Sequence, residues 1–199
     1  MIGIIDYGAG NLFSVKNALD FLELKNIITS SAEEIRDVDQ LILPGVGAFP
    51  DAMKMLERSG LTETIIAEAG KKPLLGICLG MQMLFECGYE FEKVKGLSLI
   101  PGEVSRIVAP GLKIPHMGWS DVKIENECEL SKGINEGDLF YYVHSYKAVT
   151  EKQYVSLYSE YGEYIPGLVC NNNVYGTQFH PEKSGEIGLK ILRNFGGLK

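Results

Sequence analysis

The first half of the chain alternates short, almost wholly apolar runs with segments of helical period. Ile2–Asp6, Asn26–Thr29, Leu41–Leu43 and Pro73–Ile77 are too short for helices and present little polar surface. Between them Leu12, Val15, Ala18, Leu19 and Leu22 recur at helix spacing, as do Ala52, Met55 and Leu56, and Leu61 to Ala69 gives a further helical stretch. Ser31 is placed to cap a short helix through Glu33, Glu34 and Ile35. Strands that are apolar on both sides need cover on both sides. The pattern therefore predicts an α/β fold, an open and mostly parallel central sheet with helices on both faces.

Pro44-Gly45 is expected to stop the third strand, and Leu79 to Phe85 to form a helix after the fourth. The texture changes after about Gly96. Gly102–Val108, Asp138–Tyr146 and Tyr154–Tyr158 read as strands with short turns, which predicts additional antiparallel strands at the sheet edge in the second half. A last helix is expected near Glu186–Asn194. No linker or repeat interrupts the pattern, so residues 1–199 are expected to form a single domain.

Charge and cysteine usage narrow the function classes. Nineteen Lys and Arg against 26 Asp and Glu give a net charge of −7, which opposes a general nucleic-acid binder, because counterion release needs a basic surface. No apolar run reaches the ~18–20 residues that span a bilayer. Met1–Asp6 reads as a first strand without a basic leader, so a cytoplasmic protein with no membrane contact is expected. Cys78, Cys87, Cys128 and Cys170 form no C-x-x-C pair and are expected to be reduced thiols. His116 and His144 fit no metal-ligand spacing, so neither metal nor cofactor is expected and both read as structural or interface histidines.

Ligands of open α/β sheets bind at the carboxyl ends of the strands, which directs attention to the loops after Asp6, Leu43 and Ile77. Gly76-Ile77-Cys78-Leu79-Gly80 has the small–x–nucleophile–x–small form of a nucleophile elbow. A helix starting at Leu79 would turn its positive end towards the sulfur and favour thiolate, the reactive form. A thiolate nucleophile needs a base that also serves as acid. His180 lies near the end of a strand-like run, Tyr175 to Phe179, and Glu182 follows two residues later across Pro181. In extended chain residues two apart point the same way, so Glu182 can orient and charge-stabilise the imidazole. Pro44-Gly45-Val46-Gly47 can turn backbone N–H groups towards a neighbouring site, with the Leu79 N–H as a second donor; Gly45, Val46, Gly47 and Leu79 are the candidate oxyanion hole. A dinucleotide loop at Gly8-x-Gly10 fails, because Phe13 stands where G-x-G-x-x-G needs its third glycine.

Gly76-Ile77-Cys78-Leu79-Gly80-Met81-Gln82, Gln178-Phe179-His180-Pro181-Glu182 and Pro44-Gly45-Val46-Gly47 together resemble the class I, or triad, glutamine amidotransferases, in that family's order and over most of the chain. The resemblance implies a flavodoxin-like sheet and a catalytic triad of Cys78, His180 and Glu182. Cys78 would attack the side-chain amide of glutamine, releasing ammonia and leaving a γ-glutamyl thioester for water to hydrolyse. The substrate contacts it implies are Gly47, Leu79, Gln82, Ser145 and Tyr146. Asp6–Val15 and His116-Met117-Gly118-Trp119 further resemble the glutaminase-subunit family of imidazole glycerol phosphate synthase, with Ser120 where that pattern has Asn. That resemblance implies a heterodimer with a (β/α)8-barrel cyclase in histidine biosynthesis, Trp119 being either an anchor within the fold or a partner contact. Tyr141 or Tyr142 would line the path by which ammonia leaves. The alternatives are a glutaminase of pyridoxal phosphate synthase, one serving a nucleotide-sugar amidotransferase, or a stand-alone hydrolase of γ-glutamyl compounds.

Overall fold

The computed structural model describes residues 1–198. Its strands are β1 (Ile2–Ile5), β2 (Asn26–Thr29), β3 (Gln40–Gly45), β4 (Leu74–Cys78), β5 (Cys87–Gly88), β6 (Val94–Lys95), β7 (Glu103–Arg106), β8 (His116–Asp121), β9 (Lys123–Ile124), β10 (Leu139–His144), β11 (Tyr146–Val149), β12 (Val155–Glu160), β13 (Tyr164–Asn171) and β14 (Val174–Thr177). The helices are α1 (Leu12–Phe21), α2 (Ala32–Asp37), α3 (Phe49–Ser59), α4 (Thr62–Ala69), α5 (Leu79–Met83) and α6 (Gly185–Gly196). No helix among the described residues is long and apolar enough to cross a membrane.

Eight strands form the main sheet in the order β2-β1-β3-β4-β14-β13-β12-β9. The first five run parallel, and β13, β12 and β9 extend the sheet antiparallel. Successive residues of the parallel strands feed opposite cores, as a period of two requires. Ile5, Leu41, Leu43 and Leu74 face α2, α3 and α4, whereas Ile2, Ile4, Ile42, Leu75 and Ile77 pack with Val15 and Leu19 of α1 and Ile191, Leu192 and Phe195 of α6. Burying a side chain of this kind contributes roughly 1.5–3 kcal/mol, which explains why such short strands hold.

Three expectations need correction. β3 does not stop before Pro44-Gly45 but runs through both, pairing Pro44 with Ile77 and Gly45 with Cys78. Proline is tolerated there because β1 pairs with β3 only as far as Ile42, so the missing N–H falls beyond one neighbour's end. The helix after β4 is shorter than predicted and ends at Met83. Lastly, only Tyr154–Tyr158 joins the main sheet's edge: Gly102–Val108 and Asp138–Tyr146 supply strands to a four-stranded sheet, β11-β7-β5-β6, and a two-stranded one, β10-β8.

α5 lies very close to β3. A Cβ on Gly80 would sit 1.9 Å from the Leu43 carbonyl oxygen, and one on Gly76 would sit 2.6 Å from the carbonyl oxygen of Gly80. Both obstacles are backbone and cannot swing aside. Gly80→Ala is therefore expected to destabilise the chain by about 3 kcal/mol or more, seen as a lower denaturant midpoint at unchanged slope.

Candidate active site

Three strand ends converge on one pocket. β4 delivers Cys78, the segment after β14 delivers His180, and the segment after β3 delivers Val46 and Gly47. The pocket has a volume of about 310 Å³ and is also lined by Leu79, Gln82, Glu90, Pro115, Val143, His144, Ser145 and Tyr146. Cys78 has φ +55°, a region that residues with side chains rarely enter, and it is the residue on which α5 begins. This is the strained turn expected of a nucleophile elbow, and Leu79, as the first residue of α5, has an N–H free of intrahelical bonds.

His180 is buried, and its Nδ1 lies 2.8 Å from Oε1 of the buried Glu182. The second oxygen of Glu182, also buried, has no partner among the described residues. Glu182 reaches the ring from a single 3-10 turn, Pro181–Lys183, and not from extended chain, because strand pairing in β14 ends at Thr177. Ser184 braces the same turn: its Oγ donates to the His180 carbonyl at 2.6 Å and accepts from the Tyr141 N–H at 3.0 Å. Burial alone would lower the His180 pKa. The hydrogen-bonding Cys78 sulfur and the Glu182 carboxylate outweigh it and push the imidazole up to about 9. A pKa raised in this way favours the protonated ring at neutral pH, beside the Cys78 sulfur.

The other two histidines have the opposite character. Tyr142 and Tyr161 stack on His116, and burial holds His116 down to about 4 and His144 to about 3. Their tautomers follow from their partners. His144 Nδ1 faces the Tyr146 carbonyl at 2.8 Å and must donate, so its Nε2 accepts from His116 Nδ1 at 2.9 Å. His116 Nε2 then accepts the Ser120 hydroxyl at 2.7 Å. Ser120, the departure from the family pattern, is therefore engaged on the inner side of β8.

Every sequence-predicted contact residue, Gly47, Leu79, Gln82, Ser145 and Tyr146, lines the pocket, as do the candidate oxyanion residues Val46, Gly47 and Leu79, while Gly45 stands paired with Cys78 just behind it. Gly47 has φ +96°, and Val46 is 45% exposed. Tyr142 is fully buried with its hydroxyl 2.9 Å from Ser159 Oγ, which places it in packing and not on a passage. Trp119 is 55% exposed and meets the half-buried Tyr141 edge-on at 6.0 Å, so it is no core anchor. Two residues, one lining the pocket and one buried behind Cys78, carry no sequence signal that draws attention. Glu90 sits in a loop between aromatic residues, its Oε2 accepting the Phe49 N–H at 2.7 Å, and brings a carboxylate to the pocket. Gln178 is part of the His180 motif but carries no chemistry until the fold sets its amide 3.8 Å from the Cys78 sulfur. The described residues contain no cluster of three or more His, Cys, Asp or Glu arranged to hold a metal ion.

The model of the glutamine amidotransferase class-I family matches residues 3–196. Imidazole glycerol phosphate synthase subunit HisH of Bacillus thuringiensis (strain Al Hakam) is 52% identical over 200 residues, covering 100% of this chain and 95% of the relative. The protein of the same name from Bacillus anthracis (strain A0248) is 51% identical over the same coverage. Among solved structures, a putative GMP synthase protein of Thermoplasma acidophilum superposes with TM-score 0.74 at 21% identity, covering 98% of this chain and 92% of that one. PurLQS from Thermotoga maritima gives 0.72 at 21%, covering 98% and 96%. At those identities the two structures share the fold.

Replacing Glu182 with Gln keeps the shape of the turn and removes its charge. The His180 titration, followed by NMR, should fall well below about 9 in Glu182→Gln. The linkage has a definite sign. A raised histidine pKa adds stability that is fully present below about pH 6.5 and is lost as pH rises through about 9, so the stability difference between wild type and variant should shrink across that window.

Proposed function

The chain belongs to the class I glutamine amidotransferases and, within them, to the family of imidazole glycerol phosphate synthase subunit HisH, and from that premise we propose that it hydrolyses glutamine through Cys78 and passes the ammonia to a cyclase partner in histidine biosynthesis. The observation that carries the reading is His180 held at 2.8 Å by Glu182 and charged beside the Cys78 sulfur, at the wall of a pocket of about 310 Å³.

The Cys78 thiolate attacks Cδ of the substrate amide. Negative charge builds on the amide oxygen, which the Leu79 N–H and an N–H of the Gly45-Val46-Gly47 segment receive. His180 gives its proton to the amide nitrogen, the C–N bond breaks, and ammonia departs from a γ-glutamyl thioester. The now neutral His180 takes a proton from water as the oxygen attacks the thioester carbonyl. The C–S bond breaks, glutamate leaves, and the thiolate–imidazolium pair is restored. Gln82, Ser145 and Tyr146 hold the substrate, and the Glu90 carboxylate supplies the charge that its α-ammonium group needs.

Ammonia is mostly protonated in neutral water, so it must pass between sites under cover. Met117, Trp119 and Leu139 expose large apolar side chains on the β8–β10 sheet, and Val143, paired with Met117, lines the pocket. That face receives the (β/α)8-barrel cyclase in a heterodimer, and Tyr141 beside Trp119 borders the exit. Residues 1–199 act as one domain, and the reaction belongs in the cytoplasm.

Cys78→Ala should lower glutamine hydrolysis by at least about 10³-fold, while ammonia-dependent cyclisation by the complex persists. Hydrolysis retained in that variant would remove the nucleophile assignment. Gly47 offers a second test. No atom lies within 4 Å of where its Cβ would be, so Gly47→Val strains only the backbone at φ +96°. Partner-stimulated glutaminase turnover should drop in Gly47→Val by more than the modest fall in unfolding midpoint that the backbone strain at φ +96° causes; full stimulation would show that this segment does not control activity.

A further inference from the structure

Behind the Cys78 sulfur lies a buried polar chain whose internal hydrogen bonds the hydrolysis mechanism above leaves out, although Gln82 and Tyr146 belong to both. Gln178 is fully buried and Gln82 nearly so, and both come from elements that flank Cys78. The Gln82 side-chain nitrogen donates to the Tyr146 carbonyl at 2.9 Å and to Oε1 of Gln178 at 2.9 Å, which occupies both of its hydrogens. The Tyr146 carbonyl is held from its other side by His144 Nδ1, and His144 by His116 and Ser120. Each link fixes the direction of the next. With Oε1 of Gln178 committed to Gln82, its Nε2 must face the Cys78 sulfur, at 3.8 Å. A reversed Gln178 amide would set nitrogen against nitrogen and oxygen against the sulfur, so the network admits one orientation only.

We propose that Gln178 is a further catalytic residue, an N–H donor that steadies the thiolate of Cys78, and that Gln82, the Tyr146 carbonyl and the neutral His144–His116 pair are positioning groups that keep this donor aimed at the sulfur. The inference rests on the reading of Cys78 as the nucleophile. It adds a contact made in the resting enzyme and again when the sulfur leaves the thioester. The donor approaches from inside the fold, so substrate entry does not displace it. Its place also follows from chain order: Gln178 and His180 both follow the end of β14, beside the end of β4 that carries Cys78.

The test is the pH dependence of Cys78 alkylation by iodoacetamide in the full chain. The titratable groups facing the sulfur are Tyr7, whose hydroxyl is buried nearby, His180 with Glu182 behind it, and Glu90 and His144 across the pocket. All of them remain in Gln178→Met, which removes the donor while keeping side-chain length. The alkylation midpoint should rise by about one pH unit, equivalent to about tenfold slower alkylation on the rising limb. An unchanged profile in the folded variant would overturn the proposal. A wild-type measurement covers the case in which Gln178→Met does not fold: blocking Cys78 by alkylation should displace the side-chain amide resonance of Gln178, and an unmoved resonance counts against the contact. Neither readout uses glutamine turnover. Retained hydrolysis in Cys78→Ala would therefore discredit the nucleophile without touching this donor, and an unmoved alkylation profile would do the reverse.

Discussion

The close approach of α5 to β3 underlies everything at the reactive rim. Because Gly80 has no side chain, the Leu43 carbonyl can lie where a Cβ would otherwise be, and the helix settles directly against the strand. That contact brings the first N–H of α5, the sulfur at the end of β4 and the glycine-rich segment after β3 within one pocket. It also sustains Cys78 at φ +55°, a conformation that costs about 1–3 kcal/mol and persists only when its surroundings dictate it.

Three histidines with the same intrinsic basicity end in two different states. His180 meets a sulfur and a carboxylate and is raised to about 9; His116 and His144 meet neutral partners in the same apolar interior and fall to about 4 and about 3. Desolvation acts on all three in the same direction, so the partners decide the outcome. One ring is therefore suited to the proton transfers proposed for it, while the other two act as fixed hydrogen-bonding units in one tautomeric arrangement.

The parallel half of the fold, and which loops meet at the pocket, are legible in the sequence because both leave local signals. Apolar runs such as Leu74–Ile77 read as strands from a few neighbours, and the glycine spacing around Cys78 reports a turn that needs it. The later strands were legible as strands but not in their assignment to sheets. Which edge β8 or β11 joins depends on long-range pairing that no short window contains. Pro44 misled because its usual penalty presumes a neighbour on both sides, and β1 has already ended there. Glu90 and Gln178 were missed for a common reason: their significance lies in what faces them, and those neighbours are brought in by the fold.

The opposite end of the same central strand holds a different device. Gln40, the first residue of β3, donates through Nε2 to the carbonyls of Phe195 at 2.9 Å and Leu198 at 2.7 Å, tying down the end of α6. About 17 Å of strand separates this clamp from Gly45, and sites that far apart usually act independently. Robustness and reactivity thus occupy opposite tips of one β-strand, so selection or engineering can harden the rear of the molecule while leaving its catalytic lip free to change.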